Sequence, residues 1–503
     1  MKNIFKAVAI VTIFSVLTRA LGFLFRIFLS RKLGALGLGM FQMASSVLGL
    51  FLTLVSSGFP LVTAKSVAKY TTTNDLTKKY KTVSSALIIS IIIAILSSLL
   101  IYVLKNFFNI ILTDSKTVEI LIVLIPSILF SAIYAIFRGA LWGNGDYFNC
   151  GLTELIEQIL RFVLTFIFLI NITETFTAVK NSAIAFNITC LLSAAITIFI
   201  YFKQGNRLII KKGEYKNLIK SALPITGIRV ASSLVQPLTS LLIPNLLIFS
   251  GFSSTMAIES YGVIMGMTFP LLFVPMTVVG SFSMVLIPSI SSLLAKNNYT
   301  EIENNIKTTL QISIFISIIF AILYIAVGDL IGLVLYNNAL SGILLQVAGI
   351  CVLPITLCNL SSSFLDALNL EFKSFINYII GSIILFISLI IFTPLVGINS
   401  IIISFSLSMS TISILNLIKI KKTLPNFNFK FTNFIFKVLL ISLPTSLLGN
   451  FTAKILLHFF TPFFSGLIGG ATAILSFLIL TKIFNLFNLK QLFSIIKSAK
   501  KKV

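Results

Sequence analysis

Two arginines, Arg19 and Arg26, stand inside the apolar run from Ile4 to Ser30, where a lipid-facing helix carries no charge. A charge at bilayer depth costs roughly 3 kcal/mol on insertion scales, so such residues mark function or pairing. Their spacing is two helical turns, which puts both on one face. Thr12, Ser15, Gly22 and Ser30 extend that face at steps of three and four, opposite a face of Ile, Phe, Val and Leu. A guanidinium donates two parallel hydrogen bonds and keeps its proton, which suits a phosphate. The run reads as a membrane helix that lines a water-filled, anion-seeking cavity with a cationic stripe. Pairing with carboxylates elsewhere in a bundle is the plainer account of the same residues.

A second polar stripe runs through Glu154, Glu157, Gln158, Arg161 and Thr165. Glu157 and Arg161 are four apart in the favourable order and can neutralise each other. Glu157, Gln158, Arg161 and Arg138 are therefore read as either cavity-lining or structural. Arg229, about three turns into a later apolar segment, is expected to join Arg19 and Arg26 in binding substrate across a central cleft. Lys65 and Lys69 mark a helix end at the cytoplasmic surface and a candidate entry for substrate.

No catalytic set accompanies these residues. The chain lacks a histidine pair, a G-x-S-x-G turn and a phosphate-binding G-x-x-x-x-G-K-[ST] loop, so neither hydrolysis nor ATP use is expected. The single histidine, His458, sits near a helix end. The cysteines Cys150, Cys190, Cys351 and Cys358 have no metal-ligand spacing and read as small buried thiols. No metal and no cofactor is expected; coupling to the membrane potential or to a cation would supply the drive.

The elements that position these residues are helices in a membrane. Of 503 residues, 57% are hydrophobic and only 10% charged, with a mean hydropathy of +1.06. That balance belongs to an all-α polytopic membrane protein. About fourteen segments are long enough to span: 4–30, 38–64, 82–104, 118–140, 151–170, 178–202, 218–250, 259–292, 308–335, 342–365, 374–393, 397–418, 434–457 and 463–487. The first has no cleavage site and stays as a helix. A formal charge of +24 would suit nucleic acid, but the basic residues punctuate the apolar segments as topology determinants do. Lys78, Lys79, Lys81, Lys203, Arg207, Lys211, Lys212, Lys421 and the tail lysines Lys490, Lys497, Lys500, Lys501 and Lys502 fall on one side. Both termini are therefore expected in the cytoplasm, and nucleic acid is excluded as a partner.

The longest polar connection splits the first twelve segments in half, and the halves look alike. Gly58-Phe59-Pro60 is answered by Leu286-Ile287-Pro288, and Arg138-Gly139 by Asp366-Ala367, at one constant offset. This predicts a parallel repeat. The expected organisation is a six-helix lobe over 1–203, a linker over 204–217 and a second six-helix lobe over 218–422. Two additional helices and a basic tail follow over 423–503.

With those stretches in hand, the chain resembles the multidrug/oligosaccharidyl-lipid/polysaccharide (MOP) exporter superfamily, in the stage V sporulation protein B branch related to the lipid II flippases. The resemblance rests on Thr18-Arg19-Ala20-Leu21-Gly22-Phe23 with Arg26, and on Arg138-Gly139 with Ile156-Glu157-Gln158-Ile159-Leu160-Arg161. Leu223-Pro224-Ile225-Thr226 with Arg229, and Phe269-Pro270-Leu271-Leu272 running to Ile287-Pro288, complete it. It implies a MATE-like fold and a flippase that moves an undecaprenyl-diphosphate-linked saccharide to the outer leaflet of a bacterial plasma membrane by alternating access. It also matches Arg19 and Arg26 to essential cavity arginines. Two departures leave lipid II and related wall, polysaccharide or sporulation precursors all open. Val263-Ile264 stands where lipid II flippases carry an Asp-Arg pair, and their segment-two arginine has no counterpart. The partners implied are an anionic lipid-linked saccharide and membrane lipids, and a monomer suffices. The alternative on the same fold is a cation-coupled multidrug exporter, which needs a buried carboxylate where the first helix here presents arginine.

Overall fold

The structure, a computed structural model, describes residues 2–210, 215–424, 427 and 431–484. The basic tail from 485 and residues 211–214 of the polar connection lie outside the described residues. The chain is 89% helical, with no strand among the described residues, and the fold is that of an all-α polytopic membrane protein. Twelve helical stretches among the described residues are long and apolar enough to cross a membrane, against the fourteen expected. One stretch, residues 10–72, runs through 63 residues, whereas about 20 suffice for one crossing. The twelve also leave out the helix carrying Glu154, Glu157 and Arg161.

Two compact units make up the chain, one of Met1–Ile248 with Phe252–Gly262, the other of Phe249–Gly251 with Val263–Val503. The first unit begins with α1 (Lys2–Ser56), which leaves helical geometry at Gly34, φ 67° and ψ −176°. Only glycine takes that positive φ without steric cost. A second break at Ser57 starts α2 (Gly58–Thr72), with Pro60 in the first turn, where its missing N–H has no helical partner to lose. The long α3 (Leu76–Val103) follows. Asp75 caps it by accepting from the Lys78 backbone N–H at 3.0 Å. That bond, and then the Lys78 ammonium, hold the Asp75 carboxyl below its ordinary value.

Next come α4 (Lys105–Ile111), α5 (Ser115–Leu124), α6 (Pro126–Gly143), α7 (Tyr147–Leu169) and α8 (Thr175–Lys203). Glycine at 139 lets α6 lie directly on α2, since a Cβ there would sit 2.6 Å from the Pro60 carbonyl oxygen. The unit is completed by α9 (Tyr215–Ser233), α10 (Val235–Phe249) and α11 (Ser254–Tyr261). Because α9 packs against α1, α2 and α3, and α11 against α1, the polar connection at 204–217 falls inside this unit.

In the second unit a π-helical turn leads into α12 (Phe269–Leu272), α13 (Val274–Ala295) and α14 (Tyr299–Tyr336). Then follow α15 (Ala339–Ala348), α16 (Val352–Ala367), α17 (Glu371–Val396), α18 (Asn399–Thr423), α19 (Phe431–Leu456) and α20 (Pro462–Ile483). Its core is threaded by α14, whose Ile302, Ile306, Leu310, Ile314, Ile318 and Ile322 recur every fourth residue, all buried. Helical geometry lapses at Val327, and the Asn450 amide of α19 donates to the neighbouring Ala326 carbonyl at 2.8 Å. A side chain bonding into the helical ladder is an identifiable cause of such a kink.

Candidate functional site

The site is built on the seam between α1 and α7. Aromatic rings close that seam on both sides of its midpoint. Phe14 meets Phe148 edge-on at 5.5 Å, and Phe28 lies 5.5 Å from Phe162. Between them sits Gly22, whose missing Cβ would be 3.8 Å from the Gln158 carboxamide oxygen. Gly22 lies three residues after Arg19 and four before Arg26, so the seam runs beside the cationic stripe. Arg19, Arg26 and Thr12 are exposed in the protein alone. Ser30, expected on the same stripe, is instead buried and donates back to the Ile27 carbonyl at 2.9 Å. Among the described residues Arg19 makes no ion pair.

The stripe on α7 is in a different condition. Arg161 binds Glu157 at 2.5 Å, the i, i+4 pair that spacing predicted. Arg138 reaches from α6 to pair with Glu154. Sequence reasoning named Glu154 but did not match it to Arg138. The available signal was their placement about equally far on either side of the turn at Asn144–Asp146. Each guanidinium also covers a ring: Arg138 lies 6.0 Å from the centroid of Tyr134, Arg161 5.0 Å from that of Phe186. Such contacts stabilise a cation that has left water. The two arginines on this side are thus neutralised by carboxylates and shielded by aromatics.

Arg229 lies on α9, exposed and without an ion pair among the described residues, in the same compact unit as Arg19 and Arg26. Among the described residues α1, α2 and α9 contain no carboxylate, so cations on these helices have no acidic partner on their own or one another's elements. Lys65 and Lys69 are exposed on α2, and Lys69 sits 5.9 Å from the Tyr70 ring. Val263 and Ile264 fall in the π-helical turn and are buried. All four cysteines are free and buried, as expected. His458 is exposed in the turn between α19 and α20. Among the described residues no group of three or more His, Cys, Asp or Glu side chains could hold a metal ion.

A family described as polysaccharide biosynthesis protein matches residues 4–294, more than half of the chain. The stage V sporulation protein B of Bacillus subtilis (strain 168) is 24% identical over 425 residues, covering 81% of this chain and 82% of that protein. Among solved structures, the lipid II flippase MurJ in an inward closed conformation superposes with a TM-score of 0.67 at 20% identity. That match covers 94% of this chain and 98% of MurJ. An inward-facing multidrug resistance MATE family transporter of the MOP superfamily gives 0.66 at 15% identity, over 81% and 95%.

Proposed function

Because the chain belongs to the polysaccharide biosynthesis protein family, within the MOP superfamily of membrane transporters, we propose that it is a flippase for lipid-linked saccharides. Its cargo is an undecaprenyl-diphosphate-linked saccharide, lipid II or a related wall, polysaccharide or sporulation precursor, carried to the outer leaflet of a bacterial plasma membrane. The observation that carries this reading is the contrast in α1: two arginines on one exposed face of a membrane helix that has no carboxylate. Such a surface attracts a diphosphate and repels a cationic drug. Arg19 and Arg26 would hold the diphosphate, Arg229 would add charge to the same path, and Lys65 and Lys69 would gather the headgroup at the cytoplasmic end.

Alternating access needs no bond chemistry, which agrees with a family of transporters rather than enzymes. With both termini in the cytoplasm, the inside-negative potential favours outward movement of an anion by roughly 2.3 kcal/mol per charge per 100 mV. The cation-coupled drug exporter has the same fold in its favour. Its required carboxylate, however, has no counterpart on α1, α2 or α9 among the described residues, and Glu154 and Glu157 of α7 are both already bound to arginine. The test is complementation of a strain depleted of its lipid II flippase. Growth restored by the wild-type chain and not by Arg19→Ala supports flipping of lipid II or a close relative. Drug resistance without rescue, abolished by loss of a cation gradient, would overturn the reading.

A further inference from the structure

We propose that Gln158 reads the saccharide next to the diphosphate, which deepens the function proposed above and rests on it. Every charged side chain of the α7 stripe is committed: Glu154 to Arg138, and Glu157 to Arg161. Gln158 is left with an uncommitted head, since its carboxamide makes no hydrogen bond to a described residue. It also reaches α1, lying over Gly22 with its oxygen 3.8 Å from the position of an absent Cβ. It therefore stands beside the stripe at the level between Arg19 and Arg26, half-buried rather than flooded by solvent.

A neutral amide at that point adds nothing to the attraction for phosphate. It offers one acceptor and two donors, the complement of a sugar hydroxyl or of an acetamido group. The group nearest the diphosphate on the headgroup side of such a lipid is its first sugar. A Cβ at Gly22 would meet that oxygen at ordinary van der Waals distance, so the carboxamide lies directly against the arginine helix. The ligand class assigned to Gln158 is thus a hexose or N-acetylhexosamine joined directly to the diphosphate.

The experiment measures binding of two probes to the full-length chain in nanodiscs: undecaprenyl diphosphate, and the same lipid carrying one N-acetylhexosamine. Wild type should prefer the sugar-bearing probe. Gln158→Met, which keeps length and removes the hydrogen bonds, should weaken that probe alone by about five- to tenfold, the worth of one neutral hydrogen bond. Its melting temperature should match wild type. Arg19→Ala should weaken both probes together. No sugar preference in wild type, or equal binding losses for both probes in Gln158→Met, would overturn the assignment to Gln158 while leaving the flippase reading intact. Failure of the wild-type chain to bind either probe would instead remove the flippase reading itself.

Discussion

All four ion pairs among the described residues lie in the first compact unit: Asp75 with Lys78, Arg138 with Glu154, Glu157 with Arg161, and Glu119 with Lys180. Among its described residues the second unit holds together without one. Its interior is an apolar core running from Val279 to Phe477, pinned by neutral polar links such as Asn416, which accepts from Asn377 and donates to Ser361 and Ser362. Neutral links stabilise helix packing in a bilayer at modest cost, whereas a charge there demands a partner or a purpose. Arg19 and Arg229 belong to the unit that can supply partners, and have none among the described residues. Among the described residues ion pairs belong to the first unit, where Arg19 and Arg229 nevertheless stand outside them, and apolar packing with neutral links belongs to the second.

The largest expected effect comes from deleting that charge. Arg19→Ala and Arg26→Ala should each abolish transport while leaving expression, insertion and melting temperature at wild-type levels, because an exposed side chain carries little packing. Lysine at either position should restore only part of the activity, since a point charge lacks the two-pronged fork. Transport assayed in proteoliposomes beside thermal unfolding separates the two outcomes. Full activity of the double alanine variant would show that the stripe is not a binding surface.

Next in size is a change in the second unit. The small residues of α19 and α20, which could have lined a groove for a lipid tail, are occupied by packing. A Cβ on Gly449 would lie 2.5 Å from the Ala473 Cβ and 2.7 Å from the Gly469 carbonyl oxygen. Gly449→Leu should therefore destabilise by about 3 kcal/mol through overpacking, and reduce flipping of long-chain and short-chain lipids alike. A Cβ on Gly466 would come no nearer than 3.4 Å to the Leu330 Cβ, so alanine should be tolerated there. Selective loss of long-chain substrates in Gly449→Leu, at unchanged melting temperature, would mean that the hairpin does serve the tail.

Much of this was legible in the residues. Apolar runs set the helices, the Gly58-Phe59-Pro60 break appears at Ser57, and the i, i+4 spacing foretold the Glu157–Arg161 pair. Other features were not, for a common reason. Helices that are apolar all round carry little record of which face meets which neighbour. Hence the grouping of α9 to α11 with the first unit, the Arg138–Glu154 partnership and the approach of Gln158 to Gly22 all had to come from the fold. The span count differed because residues 10–72 form one long stretch and charges interrupt α7. Ser30 shows the limit of face-counting: it shares the arginine spacing, yet its hydroxyl satisfies its own helix.

The smallest effect sharpens the contrast within the first unit itself. If the α7 arginines are structural, the Glu157–Arg161 pair should matter to stability and not to cargo. Its side chains retain only 18% and 23% of their exposure, so neither is fully screened by solvent. Glu157→Gln leaves the Arg161 guanidinium with a neutral acceptor and should cost about 1–2 kcal/mol. Arg161→Gln leaves a carboxylate with one amide donor and should cost a similar amount. The double variant can form a neutral hydrogen bond between the two amides, so its loss should fall short of the sum by about 1 kcal/mol, the coupling expected of contacting residues. Thermal unfolding of the four proteins completes the cycle, and transport rates measured on the same samples should stay within twofold of wild type wherever the protein remains folded. A transport loss in Arg161→Gln that exceeds its loss of stability, and that Glu157→Gln does not share, would place Arg161 with Arg19 and Arg26 on the substrate path. In that event the carboxylate would be a partner that cargo displaces.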